Sequence, residues 1–105
     1  MAGTKARVLI DDVQVFNEGR FFAHLKVFEV PKSKKFPDGI KVRCVLVDAE
    51  SKRPVLLLDN HEPYGFHLHT RLPEDKDFRV SLEIESYPEA IAYFFKEVKK
   101  VVSRE

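Results

Sequence analysis

Three of the four histidines fall within nine residues, in the segment that runs from Asp59 to Arg71. They are His61, His67 and His69. Imidazole titrates near neutral pH, so these side chains can serve as acid, base or metal ligand. If residues 66–70 are extended, His67 and His69 project from the same face of the strand, roughly 7 Å apart. Two rings in that arrangement can flank one phosphodiester or bind one metal ion.

RNA cleavage is one chemistry that suits this segment. It needs a base for the 2′-hydroxyl and an acid for the leaving oxygen, together with a cation near the phosphate. His67 and His69 are the predicted acid–base pair, and His61 and Glu62 complete the candidate catalytic set. The residues that could hold phosphate, bond to a base or stack on it are Arg43, Asp59, Asn60, Tyr64, Phe66 and Arg71. A metal-independent ribonuclease of this kind needs no cofactor, and we expect none.

Metal binding is the second interpretation of the same residues. A His-x-His pair with His61, Asp59 or Glu62 would give three or four ligands, as in a small metal-dependent hydrolase. If a metal is bound, the expected ligands are His61, His67 and His69. The paired cysteines of common zinc motifs are absent, because the chain has one cysteine.

A binding module without chemistry of its own is the third interpretation. Histidines in loops are often solvent-exposed or paired with a carboxylate, and this segment is rich in loop-forming residues. Such a module would use a sheet face, or the lysine-containing loop at residues 31–39, to dock a protein or nucleic acid. The charge, with 18 basic and 17 acidic residues, neither requires nor excludes a nucleic-acid partner. All three interpretations stay open on the sequence.

The length and composition fit one domain. A chain of 105 residues with 44% hydrophobic residues and nine Phe can bury a core without a disulfide or a structural metal. We recognise no stretch apolar enough to span a bilayer and no signal peptide, and therefore expect a cytoplasmic protein without a membrane partner. The single cysteine, Cys44, lies in an alternating apolar stretch and is expected to be a small core residue.

The elements that must position the histidines are mainly strands. Alternating or continuous apolar residues predict five of them, at Arg7–Phe16, Arg20–Val30, Ile40–Val47, Val55–Leu58 and Phe78–Glu85. A turn at residues 17–19 makes a hairpin of the first two. The fourth strand is expected to be buried on both faces, and the fifth to place Val80 inside and Arg79 outside. Residues 59–73 should be mainly loop, with the short extended piece at residues 66–70.

An amphipathic helix is predicted at the C-terminus. Ser86 is its expected N-cap, and Glu89 three residues later would complete a capping box. Phe94 and Val98 belong to the apolar stripe that packs on the sheet. The predicted fold is one α+β domain spanning the chain, with an antiparallel sheet of about five strands and one C-terminal helix on one face. The other face carries residues such as Phe22, so homodimerisation through it is a hypothesis.

With these residues and elements, the chain resembles the TumE family, small proteins regarded as the toxin half of two-gene toxin–antitoxin modules. The resemblance covers nearly the whole chain, from the N-terminal hairpin to the amphipathic helix. Its motifs are Phe28-Glu29-Val30-Pro31, Gly39-Ile40-Lys41, Asp59-Asn60, Gly65 and His67-Leu68-His69. Phe66 and Leu68 stand where many members have an aspartate and a basic residue.

The resemblance implies a growth-inhibiting activity, for which RNA cleavage or interference with translation is the usual expectation. It also implies a protein partner, an antitoxin that is typically a helix-turn-helix DNA-binding protein. We therefore expect a TumE-like toxin acting on RNA through the histidine segment, with the binding module and the small metal-binding hydrolase as alternatives.

Overall fold

The computed structural model describes residues 6–72 and 74–104. The elements in chain order are β1 (Arg7–Phe16), a 3₁₀ turn (Asn17–Gly19), β2 (Phe21–Glu29), β3 (Ile40–Asp48), β4 (Arg53–Asp59), β5 (His67–His69), β6 (Val80–Ser81) and α1 (Tyr87–Val102). The strands form one antiparallel sheet in the order β1-β2-β3-β4-β5-β6. The predicted α+β fold, an antiparallel sheet with one C-terminal helix, is confirmed.

The β1–β2 hairpin turns where the sequence predicts it. Asn17, Glu18 and Gly19 all have positive φ, at 52°, 55° and 95°. Asn and Gly adopt this region at low cost, which explains why the chain reverses there. The Asn17 side chain also donates a hydrogen bond to the carbonyl oxygen of Val102 at 2.9 Å. The turn is thereby joined to the end of α1.

The core lies between α1 and one face of the sheet. Strict alternation in β2 and β3 places every second side chain on that face, where an apolar residue is required. The helix contributes its buried stripe of Ala90, Phe94 and Val98. The strand residues buried against it are Phe21, Ala23, Leu25, Val27, Val42, Cys44, Leu46, Leu56, Leu58 and Leu68. Among the described residues, no helix is long and apolar enough to cross a membrane.

The far edge of the sheet differs from the prediction. The short extended piece is a true strand, β5, and the predicted fifth strand is reduced to β6, with two residues. Val80 was predicted inside but is 39% exposed, whereas Arg79 is half-buried. The reason is position: β6 is an edge strand that pairs only with β5, so alternation there does not report burial. Leu82 and Ile84 do pack against the core, although they lie outside the strand.

Two local details of the prediction are also wrong. In β4, Leu56 and Leu58 are buried, while Val55 and Leu57 are only half-buried, so one face of this strand is left open. At the helix start, Ser86 is the N-cap but makes no side-chain bond to the backbone; its hydroxyl instead contacts the Glu89 carboxylate at 3.3 Å. Pro88, the second helical residue, removes one of the N–H groups that an N-cap side chain normally accepts from.

Candidate functional site

The sheet face opposite α1 carries a row of polar side chains that crosses four strands. Residues directly opposite each other in neighbouring strands point to the same face. Lys26 pairs with Arg43, Arg43 with Asp59, and Asp59 with His67. The row thus leads from two cations, through a carboxylate, to an imidazole. Three strand spacings of about 4.8 Å make it roughly 15 Å long.

The next row on the same face contains the second residue of the His-x-His pair. His69 pairs with Leu57, and Leu57 with Val45. The prediction that His67 and His69 share one face is therefore confirmed. Their ring centroids lie 5.0 Å apart, closer than the backbone spacing because the rings lean toward each other.

The loop between β4 and β5 brings the third histidine to the pair. The N–H groups of Tyr64 and Gly65 both donate to the carbonyl oxygen of His61, which folds the loop into a tight turn. Gly65 has φ +63°, a conformation that glycine adopts without strain. The ring of His61 consequently lies 5.0 Å from that of His67, and its Nε2 is 3.9 Å from Oδ2 of Asp59. We call Asp59, His61, His67 and His69 the histidine cluster.

His67 is the most enclosed member of the cluster, with 0% of its surface exposed. Its Nδ1 lies 2.7 Å from the carbonyl oxygen of Gly65, and because a carbonyl oxygen can only accept, Nδ1 carries the proton. The Nε2 lone pair of His67 is buried and has no hydrogen-bond partner. The same is true of Nδ1 of His69. Burial lowers the pKa of His67, since enclosure disfavours the imidazolium. A neutral ring with a free lone pair is the result.

A stacked aromatic–cation pair shields this cluster. The Tyr64 ring meets His61 and His67 edge-on, with both centroid distances 5.6 Å. The Arg79 guanidinium carbon lies 3.8 Å from the Tyr64 centroid, as in cation–π stacking. Tyr64 was predicted to stack on a base. In this structure Arg79 already occupies one face of its ring.

A basic groove adjoins the cluster on the same sheet face. It encloses about 460 Å³ and is lined by His24, Lys26, Phe28, Lys41, Arg43 and Val45. His24 is 2.7 Å from the Asp11 carboxylate, so its ring is paired with a side chain of the neighbouring strand. The groove therefore combines three permanent cations with the half-buried ring of Phe28.

The other predicted site residues lie around this centre in different roles. The Asn60 side chain accepts from the N–H of Val42 and donates to the carbonyl oxygen of Ile40, so its amide serves to hold β3. Glu62 is exposed and lines a different cleft of about 650 Å³ beside the start of α1. Arg71 stacks on Phe78, 3.8 Å from the ring centroid. The structure thus brings Asp59, and not Glu62, to the histidines.

Lys26, Lys41 and Arg79 were not among the predicted site residues. The sequence contains a signal for the first two, because alternation places Lys26 in β2 and Lys41 in β3 on the face opposite the core. Arg79 has no such signal, since its contact with Tyr64 joins residues far apart in the chain. Comparison with known family models, curated proteins and solved structures gives no match.

Proposed function

We propose that this protein is a TumE-like toxin that binds RNA in the basic groove and acts on it at the histidine cluster. The observation that supports the proposal most is the row Lys26–Arg43–Asp59–His67, which crosses the open sheet face. It puts groups suited to phosphate binding beside groups suited to proton transfer, on one continuous surface.

The groove supplies the binding half of the proposal. Lys26, Lys41 and Arg43 lie on one face of the neighbouring strands β2 and β3, so the sheet gathers their charges along the groove. Cations on such a surface attract the phosphates of a single strand, and the aromatic ring of Phe28 offers a base a stacking partner. The major groove of double-helical RNA is too deep and narrow for side chains to read its bases. A sheet face therefore suits unpaired RNA best.

The cluster supplies the chemical half. A neutral His67 with a free Nε2 lone pair is in the protonation state that a base for the 2′-hydroxyl requires. His61 and His69, whose rings lie close to it, are the candidates for the acid that protonates the leaving oxygen. Arg43, opposite Asp59, is the candidate cation for the scissile phosphate. For His67 to act on RNA, the pair of Tyr64 and Arg79 has to move aside.

A binding module without catalysis is the second candidate. One observation favours it: His67 has no exposed surface, so in this conformation it cannot touch a substrate. A module of this kind would block translation by occupying RNA, and the groove alone would suffice for that function. The two candidates predict different phenotypes for histidine variants.

Growth after tightly induced expression separates them. We would compare wild type with His67→Ala/His69→Ala and with a groove variant, Lys26→Ala/Lys41→Ala/Arg43→Ala, and check each fold by circular dichroism. The proposed ribonuclease predicts growth arrest and fragmented RNA for wild type alone. A folded histidine variant that remains fully toxic while RNA stays intact would leave only the binding module. Absence of arrest by wild type in a host without the partner would contradict the toxin and leave a module that docks a partner without inhibiting growth.

An antitoxin partner and a homodimer remain predictions. The open sheet face has an apolar region beyond the groove, formed by Val13, Val15 and Phe22, which are 52%, 55% and 38% exposed. This region lies at the β1 side of the sheet, away from the histidine cluster. A partner bound there would leave the cluster accessible, whereas a neutralising antitoxin would have to cover the groove as well.

A further inference from the structure

We infer that Asp59, His61 and His67 form a binding site for one divalent transition-metal ion of the zinc type. One ligand atom from each residue, a carboxylate oxygen and two imidazole nitrogens, lies within 4.8 Å of the other two. All three are carried by β4, β5 and the turn that joins them, so the site is formed by one short stretch of chain. This inference does not depend on the proposed function. Because the ion would take the Nε2 lone pair of His67 that a base for the 2′-hydroxyl needs, His67 could not act as that base while the ion is bound.

The state of His67 is the independent observation that points to a ligand. The ring is completely buried, and its Nδ1 hydrogen is bonded to the Gly65 carbonyl at 2.7 Å. A second nitrogen with a free lone pair, Nε2, is left buried without a hydrogen-bond partner. A buried acceptor without a partner destabilises the fold. Metal-binding histidines characteristically donate the other ring N–H to a carbonyl or carboxylate, which fixes the tautomer that can bind the ion.

The donor set indicates the class of ion. Imidazole nitrogens suit Zn²⁺, Cu²⁺, Fe²⁺ and Ni²⁺, whereas Mg²⁺ and Ca²⁺ prefer a shell of oxygens. Two histidines and one carboxylate are a ligand set of catalytic zinc sites, in which a fourth position stays available to water or substrate. His69 adjoins the site, with its ring 5.0 Å from that of His67 and its Nδ1 also without a partner. It is suited either to complete the shell or to bind the ion's water.

The present separations require only a small contraction. Ligand atoms of a tetrahedral zinc site lie about 3.3 Å apart, given bond lengths near 2.0–2.1 Å. Asp59 Oδ2 and His61 Nε2 are already 3.9 Å apart. His61 and Asp59 keep part of their side chains exposed, at 27% and 20%, so both can turn toward an ion while His67 stays fixed. The exposed side of these two residues also gives the ion a path into the site.

Cobalt titration of the chelator-treated, full-length protein tests the site without RNA. We expect wild type to bind one Co²⁺ per chain, with the visible absorption of a four- or five-coordinate ion, and Zn²⁺ to displace it. Asp59→Asn, which preserves size, and His61→Ala, which removes a partly exposed ring, should each weaken binding at least tenfold. The matched control is His24→Ala, which removes a histidine of the same sheet face outside the cluster and should bind as wild type does.

Thermal unfolding gives a second readout on the same samples. Zn²⁺ should raise the Tm of wild type and of His24→Ala, and raise that of the two site variants less, because the stabilisation by an ion depends on its affinity for the folded state. Circular dichroism establishes that each variant is folded before titration. Failure of wild type to bind Co²⁺ would overturn the inference. So would wild-type affinity in the folded Asp59→Asn and His61→Ala proteins, or equal loss of binding in His24→Ala.

Discussion

Arg79 stacks on the ring of Tyr64, with its guanidinium carbon 3.8 Å from the ring centroid. Arg79 immediately precedes β6, and Tyr64 lies in the loop before β5, so their contact closes one loop over another. The Tyr64 ring in turn lies edge-on against His67. The pair therefore lies against the most enclosed histidine, and we expect it to limit access to that ring.

Removing the Tyr64 ring should open the cluster. In Tyr64→Ala, His67 loses the ring that shields it, so its imidazole should become accessible to diethyl pyrocarbonate while it stays protected in wild type. Mass spectrometry of peptides after short exposure measures this modification for each histidine. Tyr93→Ala, which removes a tyrosine from the helix, is the control and should leave His67 protected. Equal protection of His67 in both variants would mean that other groups shield it.

Charge removal in the groove should change the salt dependence of RNA binding. For single strands, the logarithm of the binding constant falls with that of the salt concentration, with a slope of about −0.7 per phosphate contact. Lys26→Ala/Lys41→Ala/Arg43→Ala should therefore make the slope shallower by about 2. Fluorescence anisotropy with an unpaired RNA oligonucleotide at several salt concentrations gives the slope.

A charge-matched variant on the helix side controls for net charge. Lys96, Lys99 and Arg104 are exposed residues of α1 and the segment after it, and they lie outside the groove. Their triple replacement by alanine changes the total charge equally and should retain the wild-type slope. The same shallower slope in both triple variants would show that RNA does not select the groove.

Phe94 should be one of the most stabilising single residues. It has 0% exposed surface and packs where α1 meets the sheet. Phe94→Ala should lower the free energy of unfolding by about 3–5 kcal/mol, because the cavity adds to the lost transfer free energy. Phe22→Ala, at a position 38% exposed on the open face, should cost much less. Urea denaturation measures the free energy of unfolding of both variants. A similar loss of stability in the two would mean that Phe22, on the open face, is packed as tightly as a core residue.

Asp48 should contribute to stability only above acidic pH. The Arg20 guanidinium donates two hydrogen bonds to its carboxylate, at 3.0 and 3.2 Å, and holds the pKa of Asp48 below its usual value. A lower pKa in the folded state means that the unfolded state binds more protons on acidification. Its stabilisation is therefore complete above the unfolded pKa of about 3.9 and is lost as pH falls through the folded pKa.

Comparison of Asp48→Asn with wild type tests this relationship. The variant should be less stable than wild type at pH 7, and the difference should shrink as pH falls from 4 toward 2. Urea denaturation at each pH gives the two free energies of unfolding. If the difference in free energy of unfolding stays constant across this range, the ionisation of Asp48 does not contribute to the stability of the protein.

Cys44 should be unreactive in the folded protein. Burial raises the pKa of its thiol to about 12, so at pH 8 roughly one molecule in ten thousand carries the thiolate that alkylating reagents require. Iodoacetamide should label Cys44 only after denaturant is added, as judged by intact mass. Rapid labelling without denaturant would mean that the β2–β3 region opens frequently.

Much of the fold follows from local patterns in the sequence. Alternation in β2 and β3 predicts both the strands and their buried face, because a central strand with one face on the core needs an apolar residue at every second position. The stripe through Phe94 and Val98 predicts the helix and its packing side for the same reason, at a different period. The sequence also places His67 and His69 on one face.

The composition of the site depended on contacts between distant residues. The pairing register of β3, β4 and β5 puts Arg43, Asp59 and His67 in one row, and register follows from how whole strands align. The choice of Asp59 over Glu62 as the carboxylate at the cluster also comes from the loop conformation. Arg79 lies next to the edge strand β6, where alternation carries little information. It belongs to the site only because it stacks on Tyr64.

The sequence by itself determined which side chains could do chemistry, because their identities and spacing are local. Only the tertiary structure decided their state. Burial lowers the pKa of His67 and so favours its neutral form, whereas the Gly65 carbonyl, which acts on the pKa in the opposite direction, fixes the proton on Nδ1. Those are properties of the space around the ring, and that space is made by parts of the chain that no local pattern brings together.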